Sequence, residues 1–132
     1  MNTRNYENDN LKTAESYYQA MLTRDFDQMA GYLHDQVRLI GPLAEIDGKE
    51  SVVCAAKNLG AMLKEIHIRS RFARENQIMF AYDMVVPEPI GKFRAAVCME
   101  FTHGLISKIE LFYDARPFVI KREEIFGNNN QK

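Results

Sequence analysis

The sequence predicts an α+β domain, with helices first and an antiparallel meander after them. Three observations predict it. Apolar residues recur at helical spacing in the first half, the period changes to two after Lys64, and turn residues punctuate the second half at regular intervals.

The elements follow in order. Leu11, Ala14, Tyr18, Met21 and Leu22 recur at spacings of three, four and seven, which places them on one stripe of a helix over 11–22. Asp9 or Asn10 can cap it. Asp25 opens a shorter helix from Phe26 to about Leu33, with Gln28 three residues after the cap. Residues 36–40 alternate and run into Gly41-Pro42, a short strand and a break. Asp47-Gly48 is a turn. From Lys49 to about Leu63, Val52, Val53, Ala56, Leu59, Met62 and Leu63 give a third helix.

Beyond Lys64, Ile66, Ile68, Ser70 and Phe72 alternate with His67, Arg69, Arg71 and Ala73, a strand with one polar face. Glu75-Asn76 turns it into a strand over 77–86. Two prolines make 87–91 a hairpin loop, because proline cannot sit in a central ladder. Strands over 92–102 and 105–114 meet at His103-Gly104. Residues 1–9 read as a polar lead segment, 10–120 as the domain, and 121–132, rich in Asn and Gln, as a disordered tail.

At 132 residues and 46% hydrophobic, the chain fits one domain with one core. Seventeen basic against eighteen acidic residues leave no charge footprint for nucleic acid or an anionic membrane. A small molecule or another protein fits better. The first ten residues lack the apolar core of a signal peptide and no apolar run is long enough to span a bilayer, so a cytoplasmic protein is expected. Cys54 and Cys98 sit among apolar neighbours and read as reduced, buried thiols. His34, His67 and His103 have no ligand spacing and read as surface residues, so no metal is expected.

Four stretches carry a family resemblance: Arg24-Asp25-Phe26-Asp27, Leu33-His34-Asp35-Gln36-Val37, Asp47-Gly48-Lys49-Glu50, and Gly104 through Asp114. In this order the chain from Leu11 to Phe118 resembles the nuclear transport factor 2-like superfamily, and its SnoaL-like members in particular. The resemblance implies a cystatin-like cone, in which three N-terminal helices pack in a strongly curved antiparallel sheet around a conical pocket. It does not imply one reaction, since the fold hosts isomerases, dehydratases, epoxide hydrolases, cyclases and non-enzymatic modules.

Tyr17 matches the helix tyrosine of the ketosteroid isomerases, but their two carboxylates fall on Gly41 and near Val97. Limonene-type epoxide hydrolases are similar at Ala81-Tyr82-Asp83, 87–91 and Phe112-Tyr113-Asp114. That resemblance places Asp83 on a catalytic aspartate, while the arginine position is Ala81, the second aspartate falls on Leu111, and a water-holding polar pair falls on Arg38 and Ile40. The implied catalytic group is Asp83 with Arg38 and Tyr17. The implied pocket wall is Tyr113, Leu111, Ile109, Val97, Met99, Phe101 and Ile40. Tyr18 and Tyr82 read as packing residues.

One conflict stays open at this level. Alternation makes Ile78, Phe80, Tyr82 and Met84 the apolar face and turns Asp83 outward, whereas the register of the resemblance turns it inward. The expected function divides accordingly. One reading is a pocket for a small hydrophobic, oxygenated molecule, with cofactor-free hydration, elimination or isomerisation. The alternative is a non-catalytic ligand-binding or dimerisation module, a homodimer formed through the outer sheet face that carries Arg94 and Phe112.

Overall fold

The computed structural model describes residues 3–119, with side chains from residue 6 onward. The order of elements is α1 (Thr3–Thr23), α2 (Phe26–Gly31), β1 (Leu33–Ile40), β2 (Glu45–Asp47), α3 (Lys49–Met62), β3 (Glu65–Arg74), β4 (Gln77–Val85), β5 (Lys92–Thr102), β6 (Leu105–Tyr113) and a short 3-10 turn, Arg116–Phe118. The expected tail over 121–132 lies outside the described residues.

Helix α1 starts two turns before the expected cap. Asp9 and Asn10 therefore lie inside it, and Asn10 is buried with no hydrogen-bond partner for its Nδ2 among the described residues. The link to α2 behaves as its residues suggest: Asp25 caps α2 by accepting from the Gln28 amide at 3.2 Å. Arg24, at φ 63°, donates from Nη2 to the carbonyls of Ala61 and Leu63, placing a cation on the C-terminal end of α3.

The six strands form one sheet in the order β2-β1-β6-β5-β4-β3. This corrects the expectation of a strongly curved antiparallel sheet. The sheet is mixed, because β1 lies parallel to β6 with Leu39 opposite Ile109, and it is open, with β2 and β3 at its edges, rather than strongly curved or closed. The meander from β3 to β6 fixes alternating directions, and β1 docks on the edge that β6 leaves free. Such a pairing joins distant segments, and the period of either strand is the same for both directions. Strand β2, which ends on the Asp47 of the expected Asp47-Gly48 turn, is an addition: it pairs with β1, Ile46 opposite Leu39.

A second correction concerns β3. Its pairing with β4 shifts between Ile68 and Ser70, so Arg69 is the extra residue of a bulge. Beyond it every side chain changes face. Phe72, expected inside, pairs with Met79 on the outer face, and Arg71, expected outside, reaches Glu15 of α1 on the helix side.

The helices cover one face of the sheet. Ala14, Tyr17, Tyr18 and Met21 of α1 and Val52 and Ala56 of α3 pack on Ile78, Phe80, Tyr82, Val97, Met99 and Ile109. Each large apolar side chain buried this way contributes about 1.5–3 kcal/mol. The cysteines differ from expectation: Cys54 is exposed on α3 and Cys98 is half-buried on the outer side of β5. Burial, with Glu110 and Glu100 nearby, raises the Cys98 thiol pKa.

Candidate functional site

Between the helices and the sheet lies a cavity of about 60 Å³. Helix α1 contributes Tyr17, Tyr18 and Met21, helix α3 contributes Ala55, Ala56 and Leu59, and the sheet contributes Leu39, Tyr82, Ala95, Ile109, Leu111 and Tyr113 among others. The space exists because alanines of α3 and β5 line it where larger side chains would fill it.

The polar groups on this wall are phenols. The hydroxyls of Tyr18 and Tyr82 are 2.8 Å apart and hydrogen-bonded, and the Tyr18 ring meets the rings of Tyr17 and Tyr82 edge-on at 5.1 and 5.2 Å. Burial drives the pKa of Tyr17 far up, with Tyr18 adding to it. Burial also raises Tyr18, reinforced by Tyr82. For Tyr82 burial again dominates and the bond from Tyr18 opposes it, while burial alone lifts Tyr113. All four are therefore neutral phenols at ordinary pH, able to donate or accept a hydrogen bond but not to act as a ready base. The hydroxyls of Tyr17 and Tyr113 have no hydrogen-bond partner among the described residues. They are free to meet a ligand.

Aromatic residues close one end. Phe118, from the 3-10 turn, packs edge-on against Phe93 at 4.8 Å and Tyr113 at 5.2 Å. Asp114 anchors that turn. It accepts from the Arg116 amide at 3.1 Å and from the Arg116 guanidinium at 2.9 and 2.7 Å, bonds that pull its pKa down to about 2.

The residues singled out in sequence fall into three places. Tyr17, Ile109, Leu111 and Tyr113 line the cavity. Val97, Met99 and Phe101 face the same side but are packed into the core and do not line it. Asp83, Arg38 and Ile40 stand on the outer face. Asp83 follows the alternation of β4, pairs across the sheet with Arg94 and His67, and binds Arg69 at 3.2 Å and Lys92 at 3.8 Å. Arg38 binds Asp47 at 2.6 Å and Glu45 at 3.6 Å, so it is not joined to Asp83. Ile40 lies opposite Glu45 and Glu110, and Leu39, one residue earlier, takes the inward place.

Tyr18 and Tyr82 pack in the core as expected, and they also line the cavity. The signal was present: Tyr17 and Tyr18 are adjacent on a buried helix face, and alternation points Tyr82 at them. Among the described residues, no group of three or more His, Cys, Asp or Glu side chains is placed to hold a metal ion.

No family model and no curated protein matches the sequence. Solved structures do match. A protein from Kribbella flavida DSM 17836 superimposes with a TM-score of 0.78 at 24% identity, covering 85% of this chain and 92% of that one. An LEH-like epoxide hydrolase from M. tuberculosis gives 0.72 at 16%, covering 88% and 90%. A steroid delta-isomerase from Pseudomonas aeruginosa gives 0.73 at 14%, covering 90% and 89%. Others of this shape are described as NTF2-like or cystatin-like. The shared property is the fold.

Proposed function

We propose that this NTF2-like domain is a binding module for a small, uncharged, oxygen-bearing hydrophobic molecule, held in the cavity between α1, α3 and the sheet. One observation carries the reading: the cavity wall offers aliphatic groups, aromatic rings and neutral phenols, with no carboxylate, imidazole or cation on it. A ketone, ether or alcohol oxygen would accept from the unpartnered Tyr17 hydroxyl while its hydrocarbon part replaces water against Leu39, Leu111 and Met84. Proton abstraction would need a base beside the ligand, and Asp83 stands on the opposite face of the sheet. This favours binding over acid-base turnover.

Calorimetric titration of a panel of small cyclic ketones, epoxides and alcohols tests it, with turnover followed in parallel. Tyr17→Phe is expected to weaken binding by about 1 kcal/mol, the net worth of one hydrogen bond. Equal affinity in the variant would remove Tyr17 from the site. Turnover that survives in Asp83→Asn would call for a catalytic group other than Asp83.

A second reading concerns the outer face. Phe72, Met79 and Phe112 are 67%, 41% and 48% exposed, and all three stand on that side of the sheet beside Ala81, Ala96 and Cys98. Ion pairs such as Lys108 to Glu100 and Arg38 to Asp47 border them. An apolar stripe inside a charged margin suits a second copy of the same face, and we assign the stripe to a homodimer contact.

A further inference from the structure

We propose a second, oxyanion site on the outer face of the sheet: the groove lined by Arg69, Asp83, Lys92, Phe93 and Arg94, of about 400 Å³, which would take a small molecule bearing a carboxylate or phosphate group. The groove holds three cations and one carboxylate, on a chain whose net charge is −1. Its charge is thus a local concentration and not a reflection of a basic protein.

The internal pairing leaves much of that charge unused. Asp83, whose side chain is only 13% exposed, sits low in the groove and is bound by Arg69 Nε and, at a looser 3.8 Å, by Lys92. Because Arg69 spends only its Nε on Asp83, both terminal nitrogens of its guanidinium remain available. Arg94, directly across the ladder from Asp83, has no ion-pair or hydrogen-bond partner among the described residues. Two arginine forks around one rim match the geometry of a carboxylate or phosphate, which each can grip with two parallel hydrogen bonds. Asp83 serves as a fixed post that holds Arg69 and Lys92 in place, and Arg69 is the extra residue of the β3 bulge.

The site differs from the tyrosine cavity in chemistry: Phe93 borders both, but the charged side chains of the groove are not on the cavity wall. The test is calorimetric titration of the full chain at low ionic strength with inorganic phosphate and, separately, with citrate. Saturable binding is expected, weakened about tenfold by Arg94→Gln and by Arg69→Gln and unaffected by Lys57→Gln on α3. The anion that binds more tightly identifies the head group as phosphate or carboxylate. Unfolding midpoints confirm that the variants fold, and Arg94 has no side-chain partner to lose among the described residues. Absence of saturable binding by both anions, or equal weakening by Lys57→Gln, would overturn the proposal.

Discussion

Tyr18 and Tyr82 belong to different elements, and the 2.8 Å bond between their hydroxyls ties α1 to β4 inside an apolar wall. Removing one hydroxyl strands the other in a place with little water. Tyr18→Phe or Tyr82→Phe is therefore expected to cost about 1–3 kcal/mol, and the double variant less than the sum of the two, as read from urea unfolding in a double-mutant cycle. The raised pKa values of these phenols also give a pH dependence. A folded pKa above the unfolded value means that the native state holds its protons longer, so the stability is full below about pH 10 and is lost as pH rises past it. Tyrosinate absorbance from Tyr17 and Tyr82 should then appear together with alkaline unfolding. Ionisation well before the loss of secondary structure would contradict their burial. At this scale the family resemblance is what points to Tyr17 and Tyr113, while spacing leaves Tyr18 open, because a phenol that packs and a phenol that lines a cavity share the same helical spacing.

The helices meet at Gly60 of α3. A β-carbon there would stand 2.8 Å from Phe26 Cε1 and 3.1 Å from both the Met21 side chain and the Met21 carbonyl oxygen. Alanine is the better helix former by up to about 1 kcal/mol, but the Met21 backbone must give way to admit it. Gly60→Ala is expected to destabilise by about 1–2 kcal/mol in denaturant unfolding, with α1 and α2 displaced. A neutral or stabilising result would mean that the three helices can spread without penalty. Strand β3 shows the limit of pattern reading for an element. Its alternation is regular from Ile66 to Ala73, so nothing in the letters marks Arg69 as the residue left out of the ladder. The choice is made by the partner strand and by Glu15, which gives Arg71 a charge to meet on the helix side. By contrast, β4 and β5 keep the faces that alternation assigns them, while β6 has an irregularity of its own: Lys108 pairs with Glu100 and Ile106 with Phe101, so Ser107 is an extra residue and Ile106 and Ile109 both face the core.

On the scale of the whole molecule the two faces of the sheet divide the work, with the covered face closing over the cavity and the open face carrying the apolar stripe and the groove. If the stripe joins two copies, Phe112→Lys is expected to yield a monomer by light scattering at micromolar concentration where the parent is a dimer. A monomeric parent would remove that assignment. The sequence by itself determined the order of the three helices and of every strand but β2, the turn at His103-Gly104, where both residues take positive φ, and the apolar character of the covered face. These depend on neighbours a few residues apart, and the spacing of side chains records them directly. The tertiary structure alone decided the parallel docking of β1 on β6, the reversal of β3 beyond its bulge, and the choice between the two open readings of Asp83, which follows alternation to the outer face and pairs there apart from Arg38. Those outcomes depend on which strand edge is free and which opposite charge lies near, and both arise only when distant segments come together.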